Sequence, residues 1–128
     1  MEGMALVTVD SAERVIACAI RVHSTTGPGL FESVYEPCLT HELTKAGVKF
    51  KRQVLVPLIY DNMVMAQAFR ADLIIEDELI VEVKSVEQLT PLHEKQLLTY
   101  LRLTGLRKGL LLNFNARLMK DGIRSVVA

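Results

Sequence analysis

The sequence contains no tryptophan, two cysteines, three tyrosines and four phenylalanines. Its charge also cancels, with 15 basic residues against 15 acidic ones. Each shortage excludes something. Two cysteines, Cys18 and Cys38, both inside apolar helical patterns, cannot build a disulfide framework, and read as reduced core residues of a cytosolic protein. A neutral total excludes a chain held on its partner by overall charge, though not one with a local basic groove. No stretch approaches the roughly 20 apolar residues of a membrane span. The opening MEGMALVTVD lacks the basic start and long apolar run of a signal peptide, so a cytoplasmic location is expected. Internal repeats, low-complexity runs and linkers are missing too.

What is present is a hydrophobic half in 128 residues, enough for one domain, 1–128, with a real core. The chain is organised around Phe69 to Ser85, FRADLIIEDELIVEVKS. Two β-branched runs flank the acidic turn Glu76-Asp77-Glu78, a strand, turn, strand pattern. Asp72 lies in the first strand. Glu82 and Lys84 lie two apart in the second, so alternation puts them on one face and Val81 and Val83 on the other. The neighbours are nearly all apolar, as in strands covered on both faces. Charges there are costly unless paired. If Asp72 and Glu82 face each other, two carboxylates about 4 Å apart repel by roughly 4 kcal/mol at an effective dielectric near 20. Lys84 offsets part of this, either as a structural salt bridge or beside a divalent cation, and carboxylates suit Mg²⁺ or Mn²⁺.

Around this hairpin the elements fall in order. Asp10 to Ser24 is a helix opened by an Asp10/Glu13 capping box, with Val15, Ile16, Ala19, Ile20 and Val22 as its apolar side. Gly27-Pro28-Gly29 breaks it. A second helix spans Leu30 to Ala46, with Glu32, Tyr35, Glu36, Leu39 and Leu43 on one side, facing the core or the sheet. Glu32 is either a first-turn acid favouring the helix dipole or a functional carboxylate. Pro37 bends that helix, or a turn precedes Ser33 and Ser33 caps a shorter one. Strands follow at Lys49–Tyr60, Met63–Ile75 and Leu79–Ser85, the first two joined at Asp61-Asn62. Thr90 caps and Pro91 opens a helix to Thr104, stopped by Gly105. Leu97, Leu98 and Leu101 are its stripe. Gln96 and Tyr100 share a face, as edge residues of a packed helix or as site residues. Lys108–Phe114 is a buried strand parallel to Leu79–Ser85 through the helical crossover. Asn115–Lys120 is a loop, and 122–127 an edge strand. His23, His41 and His93 lack metal-ligand spacing. The sum is an α/β fold on a mixed sheet.

These residues resemble the PD-(D/E)xK nuclease superfamily, and within it the small bacterial proteins named for a Gly-x-x-Glu-x-x-Tyr motif. That motif stands here as Gly29-Leu-Phe-Glu32-Ser-Val-Tyr35. The acidic core stands as Asp72 and Glu82-Val83-Lys84, and Gln96 with Tyr100 is similar to the Gln-x-x-x-Tyr motif of RecB-like and phage-exonuclease-like relatives. The likeness runs from about Glu13 to Val127. Pro37 within the motif helix is a departure. The resemblance implies a restriction-endonuclease-like αβββαβ core with a mixed sheet flanked by helices. It implies Mg²⁺ or Mn²⁺ at Asp72, Glu82, the Val83 carbonyl and Glu32, where the ion activates water for phosphodiester hydrolysis. Lys84 would orient or deprotonate that water, Gln96 would hydrogen-bond the ion's water or a phosphate, and Tyr100 would support Gln96. The substrate would be nucleic acid, DNA above all, with Arg52, Arg70, Lys95 and Arg102 as candidate phosphate contacts. A homodimer or a partner protein would help select it. A non-catalytic nucleic-acid-binding or partner-binding module on the same fold is the alternative.

Overall fold

The structure, a computed structural model, describes residues 10–128. The segment compared with a signal peptide lies outside the described residues, apart from Asp10. Helix α1 spans Ser11–Thr26, and the Asp10 side chain accepts the Glu13 amide at 3.0 Å. This is one half of the expected capping box, and it satisfies one of the free amides of the first turn; no return bond from the Asp10 amide to the Glu13 side chain is formed among the described residues. Val15, Cys18, Ala19 and Val22 are buried, whereas Ile20, expected on the apolar side, is 44 % exposed. Helix α2 spans Glu32–Lys45 with Phe31 as its N-cap and no side-chain cap. The shorter helix capped by Ser33 is therefore not formed, and Pro37 sits inside the helix. Proline lacks the amide that would bond the Ser33 carbonyl. Ser33 and Pro37 are both exposed, so water can take its place.

Strands β1 (Phe50–Tyr60), β2 (Met63–Ile75) and β3 (Leu79–Lys84) form an antiparallel meander. The β1–β2 turn has Asp61 at φ 48 and Asn62 at φ 67, the left-handed pair that suits a two-residue hairpin. The β2–β3 turn has a second task. Glu76 and Glu78 accept from Ser11 Oγ, and Arg14 pairs with Glu76 at 3.1 Å, which docks the start of α1 on the hairpin. Helix α3 spans Pro91–Thr104, with a capping box between Thr90 and His93 and Gly105 left-handed at its end. It carries the chain to β4 (Lys108–Asn113), which lies parallel to β3 as the crossover requires. The expected loop at Asn115–Lys120 is shorter than read: Met119–Gly122 forms a 3-10 turn, because Met119 is drawn into the core. Strand β5 (Ile123–Val127) closes the sheet at the edge beside β4. Strand order is β1-β2-β3-β4-β5.

Helices cover both faces of this mixed sheet, as the restriction-endonuclease-like expectation required. On one face Tyr35, Leu39 and Leu43 of α2 and the buried side of α1 pack on Leu73, Ile75, Val81, Val83 and Leu112. On the other, Leu97 and Leu101 of α3 pack on Ile74, Ile80 and Leu111. The central strands thus alternate between two apolar layers, so β3 has no face open to water. Each fully buried leucine or isoleucine contributes roughly 1.5–3 kcal/mol, and that is the surplus against which the charges of β3 must be set.

Candidate active site

The β2–β3 ladder pairs Ile75 with Leu79, Ile74 with Ile80 and Leu73 with Val81, and stops there. Asp72 and Glu82 are the next pair along. Their carboxylates take over from the backbone. Glu82 Oε2 accepts the Asp72 amide at 2.8 Å, and Asp72 Oδ2 accepts the Val83 amide at 2.8 Å. The strands therefore part at this point with each side chain wedged onto the other strand. Glu82 is 6 % exposed and Asp72 half-buried. Burial first, and then the neighbouring Asp72 charge, pushes the Glu82 carboxyl up to about 8. Burial raises Asp72 as well, against the pull of the Val83 amide, with Glu36 adding to the rise. Desolvation disfavours the charged form of an acid, and a like charge does so further.

One oxygen of each carboxylate remains. Among the described residues no hydrogen bond engages Asp72 Oδ1 or Glu82 Oε1, and no buried side-chain oxygen or nitrogen is left without a partner. Both oxygens therefore reach solvent. Two hard, unpartnered oxygens on adjacent carboxylates of raised proton affinity suit a divalent cation, so the donor set fits Mg²⁺ or Mn²⁺. The described residues do not, however, gather three acidic, histidine or cysteine side chains in ligand positions. Glu32, expected to join the pair, is exposed and its Oε2 accepts the Ser85 amide at 3.1 Å. Of the two surroundings expected for this carboxylate, core or sheet, it meets the sheet: it caps the end of β3, because Glu32 opens its helix at the surface. Its charge still acts on both Asp72 and Glu82.

Alternation puts Lys84 on the Glu82 face, with Ile80 below both. Lys84 is half-buried and makes no ion pair within 4.0 Å among the described residues, so the structural salt bridge is not formed. It acts on both carboxyls through space, lowering each. Tyr100 arrives from α3, its ring 5.6 Å from that of Phe69. Burial, then the charges of Glu82 and Asp72, raises its hydroxyl. Gln96 is exposed one turn earlier, and no hydrogen bond joins it to the acids among the described residues. Of the candidate phosphate contacts, Arg70, Lys95 and Arg102 are exposed, whereas Arg52 is bound to Glu36.

Tyr35 supplies the mechanics of the glycine motif. Its hydroxyl donates to the Gly27 carbonyl at 2.6 Å and accepts the Leu30 amide at 3.1 Å, while its ring stacks on Phe114 at 4.7 Å. The loop so pinned presents the Leu30 carbonyl to the Ser85 hydroxyl and Glu32 to the Ser85 amide. Gly29 at φ 98 makes the required bend.

Three residues carry structure that the motifs do not announce. Glu36, 8 % exposed, accepts from Arg52 at 3.0 and 3.1 Å and from Gln53 Nε2 at 2.8 Å. The sequence places Glu36 on the inward face without a role, and its spacing of four from Glu32 is the available signal. Gln53 sits in mid-strand at φ 51, where the β1–β2 pairing skips from Arg52–Leu73 to Val54–Ala71. Buried Asn113 holds Val86 by both amide and carbonyl, at 3.0 Å each, and so fixes the segment after Lys84.

A sequence model of the PD-(D/E)XK nuclease superfamily matches residues 9–126. The chain belongs to this superfamily. A search of curated proteins and one of solved structures found no match. The matched stretch includes Asp72, Glu82 and Lys84.

Proposed function

We propose that this chain is a nuclease, hydrolysing phosphodiester bonds in DNA with Mg²⁺ or Mn²⁺. The carrying observation is the pair of carboxylate oxygens left without a hydrogen-bond partner, Asp72 Oδ1 and Glu82 Oε1, on adjacent carboxyls whose proton affinity is raised. Asp72, Glu82, the Val83 carbonyl and Glu32 form the donor set. When bound, the ion supplies Lewis-acid chemistry, polarising a phosphoryl oxygen and lowering the pKa of water. Lys84 orients the attacking water or takes its proton, and its ammonium offsets charge that builds on the phosphate. Gln96 hydrogen-bonds a phosphate oxygen and Tyr100 supports it from the same helix face. Superfamily membership supports nucleic acid as the substrate class. The Gly29 to Tyr35 segment supports the narrower Gly-x-x-Glu-x-x-Tyr group, and a cytoplasmic site of action goes with it.

A non-catalytic nucleic-acid-binding or partner-binding module is the second reading. The lack of a three-ligand cluster among the described residues favours it. Cleavage of single- and double-stranded DNA and of RNA, with each metal, decides between them. Lys84→Ala is expected to lower the rate at least ~100-fold, and Glu82→Gln to weaken metal binding in calorimetry. Equal metal binding by wild type and Glu82→Gln would remove the site. Failure of the wild type to cleave any substrate with either ion would leave the binding module.

A further inference from the structure

Asp72, one of the acidic pair, lines a groove that none of the motifs describes. It has a volume of ≈ 420 Å³ and is lined by Gln53, Leu55, Gln67, Phe69, Arg70 and Asp72, with Ala68 between. That volume lies within the ~300–1,000 Å³ of small-ligand sites. The groove exists because the hairpin changes phase. Leu73 and Ile75 pack under α1 and α2, yet Ala71 and Phe69 pack with the α3 cluster. Strict alternation would keep all four on one face. The break falls at Asp72 in β2 and at Gln53, with its φ of 51, in β1. Such a backbone is uncommon for a residue other than glycine, and surrounding contacts must hold it. Glu36 does so by accepting Gln53 Nε2 with both oxygens, at 2.8 and 3.1 Å. The carboxylates can only accept, so the Gln53 amide nitrogen must face Glu36 and its oxygen is left for the groove.

The rest of the lining is unspent. Gln67 and Arg70 are exposed, and neither makes a side-chain hydrogen bond or ion pair among the described residues. Arg70 and Asp72 line the same groove two residues apart in β2, so their Cα atoms are at most about 7 Å apart. A guanidinium at that spacing from a phosphodiesterase centre meets a neighbouring phosphate of the same strand. Beside it, one amide with both donor and acceptor and one free amide oxygen face an opening of nucleotide size.

We propose that this groove is a nucleotide subsite that seats the substrate strand flanking the scissile bond. Arg70 holds a phosphate, and Gln67 with Gln53 hydrogen-bonds the edge of a base. The inference rests on the nuclease reading and adds the direction of the strand: it leaves the acidic pair along the base of the β1–β2 hairpin, not over α2.

The test is equilibrium binding of a fluorescein-labelled single-stranded DNA oligomer and its duplex, over a range of salt, with cleavage kinetics in parallel. Arg70→Ala is expected to weaken binding about tenfold and to reduce the magnitude of the salt slope by ~0.7 on the single strand. Arg70→Lys should restore the slope, because charge alone sets it. Gln67→Ala should alter base preference across homopolymers without moving the slope. Metal affinity of both variants, read by calorimetry, should match wild type. Lys45→Ala, which removes one positive charge at the far end of α2, should leave the slope unchanged. If the wild type cleaves and Arg70→Ala keeps the wild-type slope and KM, the groove is not the subsite although the nuclease reading stands. If the wild type neither binds nor cleaves nucleic acid, both fall together.

Discussion

Glu82 lies among Ile80, Val81 and Val83 in a strand covered on both sides, and its carboxyl is held near 8 by burial and by Asp72. This has a sign that can be worked out. The unfolded chain releases that proton near 4.5, whereas the folded chain keeps it to about 8. Between those values the native state binds more protons, so stability falls as pH rises, by up to ~1.4 kcal/mol per pH unit. Chemical denaturation in EDTA from pH 5 to 8 should show this decline, and Glu82→Gln should flatten much of it. An equal decline in the variant would mean that Glu82 is ionised at neutral pH. Ion binding requires the carboxylate, so Mg²⁺ should displace a proton. In calorimetry the heat of binding at pH 7 should then vary with the ionisation enthalpy of the buffer.

At the scale of elements, the glycine motif is a fastening between the entry to α2 and the exit of β3. Tyr35 ties Gly27 and Leu30, and Leu30 and Glu32 tie Ser85, the residue after Lys84. Tyr35→Phe keeps the ring on Phe114 and removes both hydroxyl bonds. Denaturation should show a loss of roughly 1–2 kcal/mol. Initial rates at a temperature where the variant is fully folded should fall as well, because Glu32 and Ser85 lose their common anchor. A variant of unchanged rate would show that the loop positions nothing. Asn113 does the same work from the other side of Val86. The ties to Ser85 and Val86 are invisible to periodicity, because they join residues 27 to 55 apart in the chain.

The whole molecule is a covered sheet with one uncovered arm. Beyond Val56 the β1–β2 hairpin runs past the helices, and Ile59, Tyr60, Met63 and Val64 are 68, 67, 54 and 64 % exposed. Ile59 and Val64 pair across the arm. Nothing among the described residues covers them, so replacing both by threonine should change stability by no more than about 0.5 kcal/mol. Urea denaturation checks this, and a loss above ~1 kcal/mol would mean that the arm is packed in solution. Among the described residues no helix is long and apolar enough to cross a membrane.

Periodicity and turn chemistry by themselves determined the order of the elements, the mixed sheet with its parallel β3–β4 pair, and the placing of Asp72 and Glu82 on adjacent strands. Those features depend on spacing along one or two adjacent strands, which a sequence displays directly. The bounds of α2 were legible except at its start, where the backbone of Phe31 rather than a side chain makes the cap. Tertiary structure alone decided the rest. It turned the two carboxylates onto each other's strand, chose the Ser85 amide at the end of β3 for Glu32, and put Glu36 on Arg52 and Gln53. It also broke the alternation at Gln53 and Asp72. Each of these is a choice among partners that only the packed sheet brings within reach, and desolvation gives the choice its energy.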